Sequence, residues 1–293
     1  MPGLRDRLRA IWDAVSAAPA GPAAGGPTVT AGGPRAAGPP RSPNGASSFH
    51  LFWDMPRTPQ ASRLVEVSAT LEIVEPPRVS ALYFWALQVD FADEKGRMWG
   101  GGHTGLQWNR RFPGGAAANW GGYASQELGG MVLAGSDPDL QAFPGDPNTM
   151  AFPWLAGRSY RFRVHRSPEV PDAWRSEVTD LESGQTTVLR DLLRPAGSRG
   201  RSGAPSSGLL LHPMVWSEVF ADCDAPSVTV RWSGLSALAD DGSTVTPPAV
   251  VANYQSHRDG GCGNTTVRRD GAALLQVTSV PREVEQGGRL ELG

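Results

Sequence analysis

The chain reads as an all-β protein: an antiparallel β-sandwich behind a short N-terminal helix and a disordered linker. Three observations carry that reading. Short apolar or alternating segments recur from Phe49 onward, divided by Gly, Pro, Asn and Asp turn signals. Gly 36 and Pro 26 make up about a fifth of the 293 residues, which suits many turns and few long helices. Roughly a dozen short strand candidates without a long internal helix are the pattern of a sandwich.

The elements follow in order. Residues 1–18 hold the helix: Leu4, Leu8, Ile11, Trp12 and Val15 recur at helical spacing with charges between them. Residues 19–46 are a Pro/Gly/Ala tract with almost nothing to bury and are expected to be disordered. A tethered amphipathic helix is the form of a docking peptide, so a protein partner of residues 3–18 is one expectation. A helix folded back on the domain is the other. Residues 47–293 are the sandwich domain. FHLFWDMP and SRLVEVSATLEIVE open it, the second ending at Pro76-Pro77. Residues 82–123 hold three strands, LYFWALQVDF, HTGLQWN and ANWGGY. Residues 125–150 read as a long loop. SYRFRVHRS, AWRSEVTDLES and QTTVLRDLL follow, with a turn at Glu182–Gln185. After a surface loop at 195–207, LLLHPMVWSEVFADCD, SVTVRWSGL, AVVANYQSH and AALLQVTSV complete the set.

Charged residues are 19% of the chain and the net charge is −2, which argues against a nucleic-acid partner, since that wants a basic stripe. No run approaches the ~18 apolar residues of a transmembrane segment. Arg5, Arg7 and Arg9 precede an apolar stretch that Asp13 interrupts, so no secretory signal is read. The expected location is cytoplasmic, with leaderless export as the alternative. Cys223 and Cys262 are either one bridge or two reduced buried thiols.

The stretch from Leu82 to Tyr123 carries the functional reading. Successive side chains on a strand point to opposite faces. Tyr83, Trp85, Leu87, Val89 and Phe91 form an apolar set. If the three strands are neighbours, Gln88, Asp90, His103, Gln107, Asn109, Asn119 and Tyr123 share the other face. Amides, a carboxylate and an imidazole grip hydroxyl groups, and Trp99, Trp120 and Tyr123 are candidate rings for stacking on a sugar. A carbohydrate ligand is therefore expected. An ordinary solvated sheet face is the plain alternative.

Gly102-His103-Thr104-Gly105-Leu106-Gln107 carries a Gly-x-x-Gly-hydrophobic-Gln strand. Trp154 to Phe162 gives a Trp, a turn Gly157 and an aromatic strand, followed by a hairpin from Trp174 to Gly184. On these segments the chain resembles bacterial jelly-roll domains of the concanavalin A-like lectin/glucanase type, and more narrowly a bacterial domain-of-unknown-function family. The resemblance covers about half the chain. It implies a jelly-roll sandwich and contact with glycans, and no reaction.

The segment VWSEVFADCDAP places Trp216, Glu218, Phe220, Asp222 and Asp224 on one strand face. Glycosidases set two carboxyls about 5–5.5 or 6.5–9.5 Å apart. A carbohydrate-active hydrolase or lyase would use Glu218 with Asp90 or His103 as catalytic residues, and Asp222 with Asp224 is a further pair. The glucanase Glu-x-Asp-x-x-Glu motif is absent. No metal ligand set is specified and no cofactor is expected. Calcium is possible at Asp137, Asp139, Asp146 and Asn148, residues that also serve as turn formers. Gly-rich 100–103 and 260–264 lack a phosphate-loop lysine and read as turns and bulges. Asn253, Gln255 and His257 extend the polar surface if they share a face.

Overall fold

The computed structural model describes residues 35–56, 63–136, 142–143, 146–195 and 208–293. The strands are β1 (Ser47–Asp54), β2 (Leu64–Glu75), β3 (Tyr83–Ala92), β4 (Met98–Trp108), β5 (Ala116–Ala124), β6 (Ala142–Phe143), β7 (Asp146–Ala151), β8 (Ser159–Arg166) and β9 (Ala173–Asp180). There follow β10 (Thr186–Leu193), β11 (Gly208–Leu209), β12 (Met214–Val219), β13 (Thr229–Ala239), β14 (Thr244–Val245), β15 (Ala249–Tyr254), β16 (Thr265–Asp270), β17 (Ala273–Thr278) and β18 (Arg289–Glu291). The only helical elements among the described residues are short 3-10 turns at Pro113–Gly115 and Gln126–Leu128.

All strand pairs are antiparallel. A large sheet runs β18-β15-β1-β12-β3-β4-β5-β7-β6. A second runs β16-β17-β13-β2-β8-β9-β10, with β14 also on β13. β11 touches both, since Leu209 pairs with Leu64 and with Phe91.

Alternation decides which side chains lie between the sheets. Tyr83, Trp85, Leu87, Val89 and Phe91 of β3 meet the inward residues of β2, β8, β9 and β13 in one core. Phe91 stacks on Trp174 at 5.8 Å between ring centres, and Trp120 Nε1 donates to the Trp174 carbonyl at 3.1 Å. Ser176 Oγ donates to Thr104 Oγ1 at 2.7 Å, a polar tie across the same layer. A fully buried large apolar side chain contributes about 1.5–3 kcal/mol. Trp85, Trp120, Trp174 and Trp232 are each at most 1% exposed, so this layer dominates the stability.

Glycines let β4 fit. A Cβ on Gly105 would stand 1.8 Å from the Trp85 carbonyl oxygen, and one on Gly102 would stand 2.5 Å from the Trp120 ring. No other residue is accommodated at either place without moving backbone or a core indole.

Several expectations change. The region read as one loop at 125–150 contains β6 and the start of β7. Part of the tract read as a disordered linker is packed: Ser42, Asn44 and Ala46 are buried and hydrogen-bonded. Polar side chains with backbone partners hold it, which a composition count does not register. Cys223 and Cys262 form a disulfide, with Cα atoms 5.5 Å apart. The helix expected over residues 3–18 lies outside the described residues. No helix among the described residues is long and apolar enough to cross a membrane.

Candidate functional site on the outer face of the large sheet

The register of β15, β1, β12, β3, β4, β5 and β7 sorts the outward side chains into rows. One row runs Asn253, His50, Trp216, Ala86, Gly105, Asn119, Thr149. Beside it runs Ser48, Glu218, Phe84, Gln107, Ala117. On the other side runs Phe52, Met214, Gln88, His103, Gly121, and beyond that Asp90, Gly101, Tyr123. Gln88, Asp90, His103, Gln107, Asn119 and Tyr123 thus stand on one face, joined by Glu218. Asn253 extends it and Gln255 contributes Oε1 to the Ser48 N–H at 2.9 Å, while His257 lies past β15 in an exposed turn.

Rings fill the middle of this face. Ala86 and Gly105 are small, and the Trp216 indole Nε1 donates to Gln88 Oε1 at 3.0 Å. Phe84 meets Trp216 edge-on at 4.8 Å and His103 at 5.5 Å. His103 lies 5.9 Å from Trp216 and 6.4 Å from Tyr123, and His50 lies 6.2 Å from Trp216. To one side, Asn119 Nδ2 donates to Thr149 Oγ1 at 2.9 Å, and Thr149 donates to Gln107 Oε1 at 3.2 Å. Most of these groups are buried. Ser48, Phe52, Asp90 and Asn253 are partly exposed and form the rim.

The electrostatics follow from burial without countercharge. Glu218 is 1% exposed. Burial pushes its carboxyl up to about 8, against the weaker opposing effect of hydrogen bonds from Asn44 and Ser48. Asn44 Nδ2 and Ser48 Oγ both donate to Oε1, at 2.9 and 3.3 Å, and Oε2 is buried without a partner. Asp90, at the rim, is pushed up to about 7 by burial. Burial lowers His103 to about 4, and His50 likewise to about 4 with a small opposing effect from the Asn253 backbone. At neutral pH the imidazoles are uncharged and Glu218 is largely protonated. Such perturbed groups cluster at functional sites more often than elsewhere.

The register revises the catalytic expectation. Glu218 pairs with Phe84, and Asp90 lies six residues farther along β3, roughly 20 Å away at about 3.4 Å per residue. His103 pairs with Gln88 on β4, two strands and four residues from Glu218, or roughly 16 Å. Neither matches the separation of a glycosidase pair. Asp222 and Asp224 also form no pair on a strand, because β12 ends at Val219; Asp224 Oδ1 instead accepts the Gly38 N–H at 2.9 Å.

Two proposed stacking rings are displaced as well. Trp120 shares its face with Leu106 and Ala118 and lies in the core. Trp99 is the extra residue of a register shift opposite Phe91 and Ala92, which turns it inward. It stacks on Phe91 at 4.8 Å under the Arg194 guanidinium. Trp216 and Phe84 take the ring positions on the outer face instead. Trp216 and His50 were reachable by alternation. Thr149 and Asn44 were not, since their segments read as loop and linker. Among the described residues no three His, Cys, Asp or Glu side chains group closely enough to hold a metal. Asp137 and Asp139 lie outside the described residues, and Asn148 Oδ1 accepts from Arg190 Nη1 at 2.7 Å.

No protein-family model matches the chain, so the narrower resemblance finds no support there, and no curated protein matches. Solved structures to which the chain shows similarity include Scytalido-glutamic peptidase with a peptide-based transition-state analogue, at 13% identity and TM-score 0.42, covering 79% of this chain and 97% of that one. SCP-B, of the Eqolisin family of peptidases, in a complex with a tripeptide, gives 13% identity and TM-score 0.40 with the same coverage. The alginate lyase Aly36B gives 8% identity and TM-score 0.22, covering 61% of this chain and 81% of that one. At these scores the likeness carries nothing about the activity of this chain.

Proposed function

We propose that the protein binds a saccharide on the outer face of the large sheet and that Glu218 supplies a proton there. One observation carries the reading: a buried, neutral carboxyl whose Oε2 has no partner, set beside aromatic rings and amides. A buried polar atom left unpaired costs roughly 1–3 kcal/mol, and a ligand acceptor removes that cost. The saccharide meets the face at its partly exposed rim of Ser48, Phe52, Asp90 and Asn253. Behind the rim lie the rings of Trp216 and Phe84 and the hydroxyl-binding groups of Gln107, Asn119 and Thr149, each at most 5% exposed. A two-carboxyl hydrolase is not favoured, because Asp90 stands too far from Glu218. The proton-donating role rests on Glu218 alone. The cystine fits an oxidising compartment, which favours export over the cytoplasm.

The test is a binding screen of the full chain against a panel of oligosaccharides, with and without calcium. The expected result is a ligand whose affinity falls about tenfold in Trp216→Ala and is unchanged in Trp99→Phe, a core position. A blank panel, or a ligand insensitive to Trp216, overturns the reading.

A further inference from the structure

The segment 35–46 crosses the end of the large sheet and brings Asn44 to Glu218. It is clamped between the loops joined by the disulfide. Cys223 N donates to the Gly38 carbonyl at 2.8 Å, Gly263 N to the Arg35 carbonyl at 2.6 Å, and Arg41 N to the Gly260 carbonyl at 2.9 Å. Asn264 Nδ2 reaches both the Ala36 and Cys223 carbonyls, at 3.2 and 2.7 Å. The crossing is close: a Cβ on Gly260 would stand 2.1 Å from Ser42 N. A turn then presents Asn44, with Gly45 at φ 81.

The orientation of the Asn44 amide is fixed by a group that can only donate. The Ala46 backbone N–H points at Asn44 Oδ1 at 3.1 Å, and Ser42 Oγ lies 2.8 Å from the same oxygen while also reaching the Ala46 carbonyl at 2.5 Å. The atom facing that N–H must be the oxygen, so Nδ2 faces Glu218 Oε1. Oε1 faces a donor-only amide N–H from Asn44, so the acid proton does not point along that contact. Oε2, the atom left without a partner, is the oxygen free to carry the proton of the neutral carboxyl.

We propose that Asn44 is the positioning residue of the site: it pins Glu218 Oε1 and so aims Oε2–H at the ligand. This rests on the proton-donor reading and adds a requirement to it. The ligand atom at Glu218 is a hydrogen-bond acceptor oxygen, a carbonyl, ether or hydroxyl oxygen, and not a donor-only group such as an ammonium. Around Glu218 the pairing strands present Ser48 and His50 from β1, Phe84 from β3 and Gln107 beyond it from β4. His50 is the titratable group among these.

The test follows the Glu218 side-chain carbon by NMR in the full chain carrying 13C-glutamate, assigned by its loss in Glu218→Gln. Removing the Asn44 donor takes away stabilisation of the ionised form. Asn44→Ala should thus move the midpoint alkaline by about one pH unit. Asn44→Asp keeps the acceptor contacts to Ser42 and Ala46 while losing the N–H, and should move it at least as far; it covers the case in which Asn44→Ala fails to fold. Ser48→Ala, whose contact is longer, should move it less. A midpoint unmoved in both Asn44 variants overturns the positioning role. A wild-type midpoint in the ordinary carboxylate range overturns the proton-donor reading instead.

Discussion

Asp191 and Glu218 are buried carboxyl groups in different sheets, 3% and 1% exposed, and their surroundings are opposite. Asp191 on β10 faces Arg175 on β9. The guanidinium meets both of its oxygens, Nε to Oδ1 and Nη2 to Oδ2, each at 2.9 Å, and Ser167 Oγ adds a donor at 3.0 Å. Those bonds, with Glu169 on the other side, raise the Arg175 pKa further above its already high value. Glu218 has two neutral donors on one oxygen, nothing on the other, and no cation. A buried carboxylate with a bidentate cation is a closed structural unit. A buried carboxyl without one stays neutral and retains a proton to give. The difference separates a residue that holds the fold from one that the fold holds ready.

The largest effect that tests the contrast is at the paired site. Arg175→Ala leaves Asp191 buried without its cation and should cost about 3–5 kcal/mol in urea unfolding. Replacing both partners by apolar residues should recover much of that loss. A cost below about 1 kcal/mol would show that Asp191 needs no cation and would remove the distinction.

Next is the pH dependence of Glu218. Its folded pKa, about 8, lies above the ordinary 4.5. Between those values the folded state binds a proton that the unfolded state has lost, so stability falls as pH rises from about 4.5 to 8. Glu218→Gln removes this group. Relative to wild type it should gain about 2–4 kcal/mol between the two ends of that window. Parallel stability–pH curves for the two proteins would contradict the assignment.

The histidines act in the opposite direction. His50 and His103 fall from 6.5 to about 4 on folding, so their contribution is present above 6.5 and lost as pH falls through 4. His103→Gln should soften acid unfolding by about 1–2 kcal/mol at pH 4.5. A smaller change is expected in Trp216→Phe. It keeps a ring but strips Gln88 Oε1 of its donor, at about 1 kcal/mol. Thermal unfolding near pH 6 is sensitive enough to read it.

Face membership was legible in the sequence because strand alternation has a period of two and needs no partner. That is why Gln88, Asp90, His103, Gln107, Asn119 and Tyr123 could be grouped. Distance along the face was not legible, since it depends on register. Only the pairing of Glu218 with Phe84 shows that Asp90 is remote. Trp99 was misplaced because a single extra residue in β4 reverses its side; the glycines at 100–102 beside it signal a bulge but do not say which residue is the extra one. Asn44 was hidden because a Pro/Gly-rich tract looks unfoldable until one sees the Cys223 and Cys262 loops that hold it.

The measurement that bears most directly on the account is the infrared difference spectrum of wild type minus Glu218→Gln, followed from pH 4 to 9. The account predicts a protonated-carboxyl C=O band from Glu218 that survives pH 7 and disappears near pH 8. A band lost by about pH 5, as for an ordinary carboxyl, would show that Glu218 is charged at neutral pH and has no proton to offer.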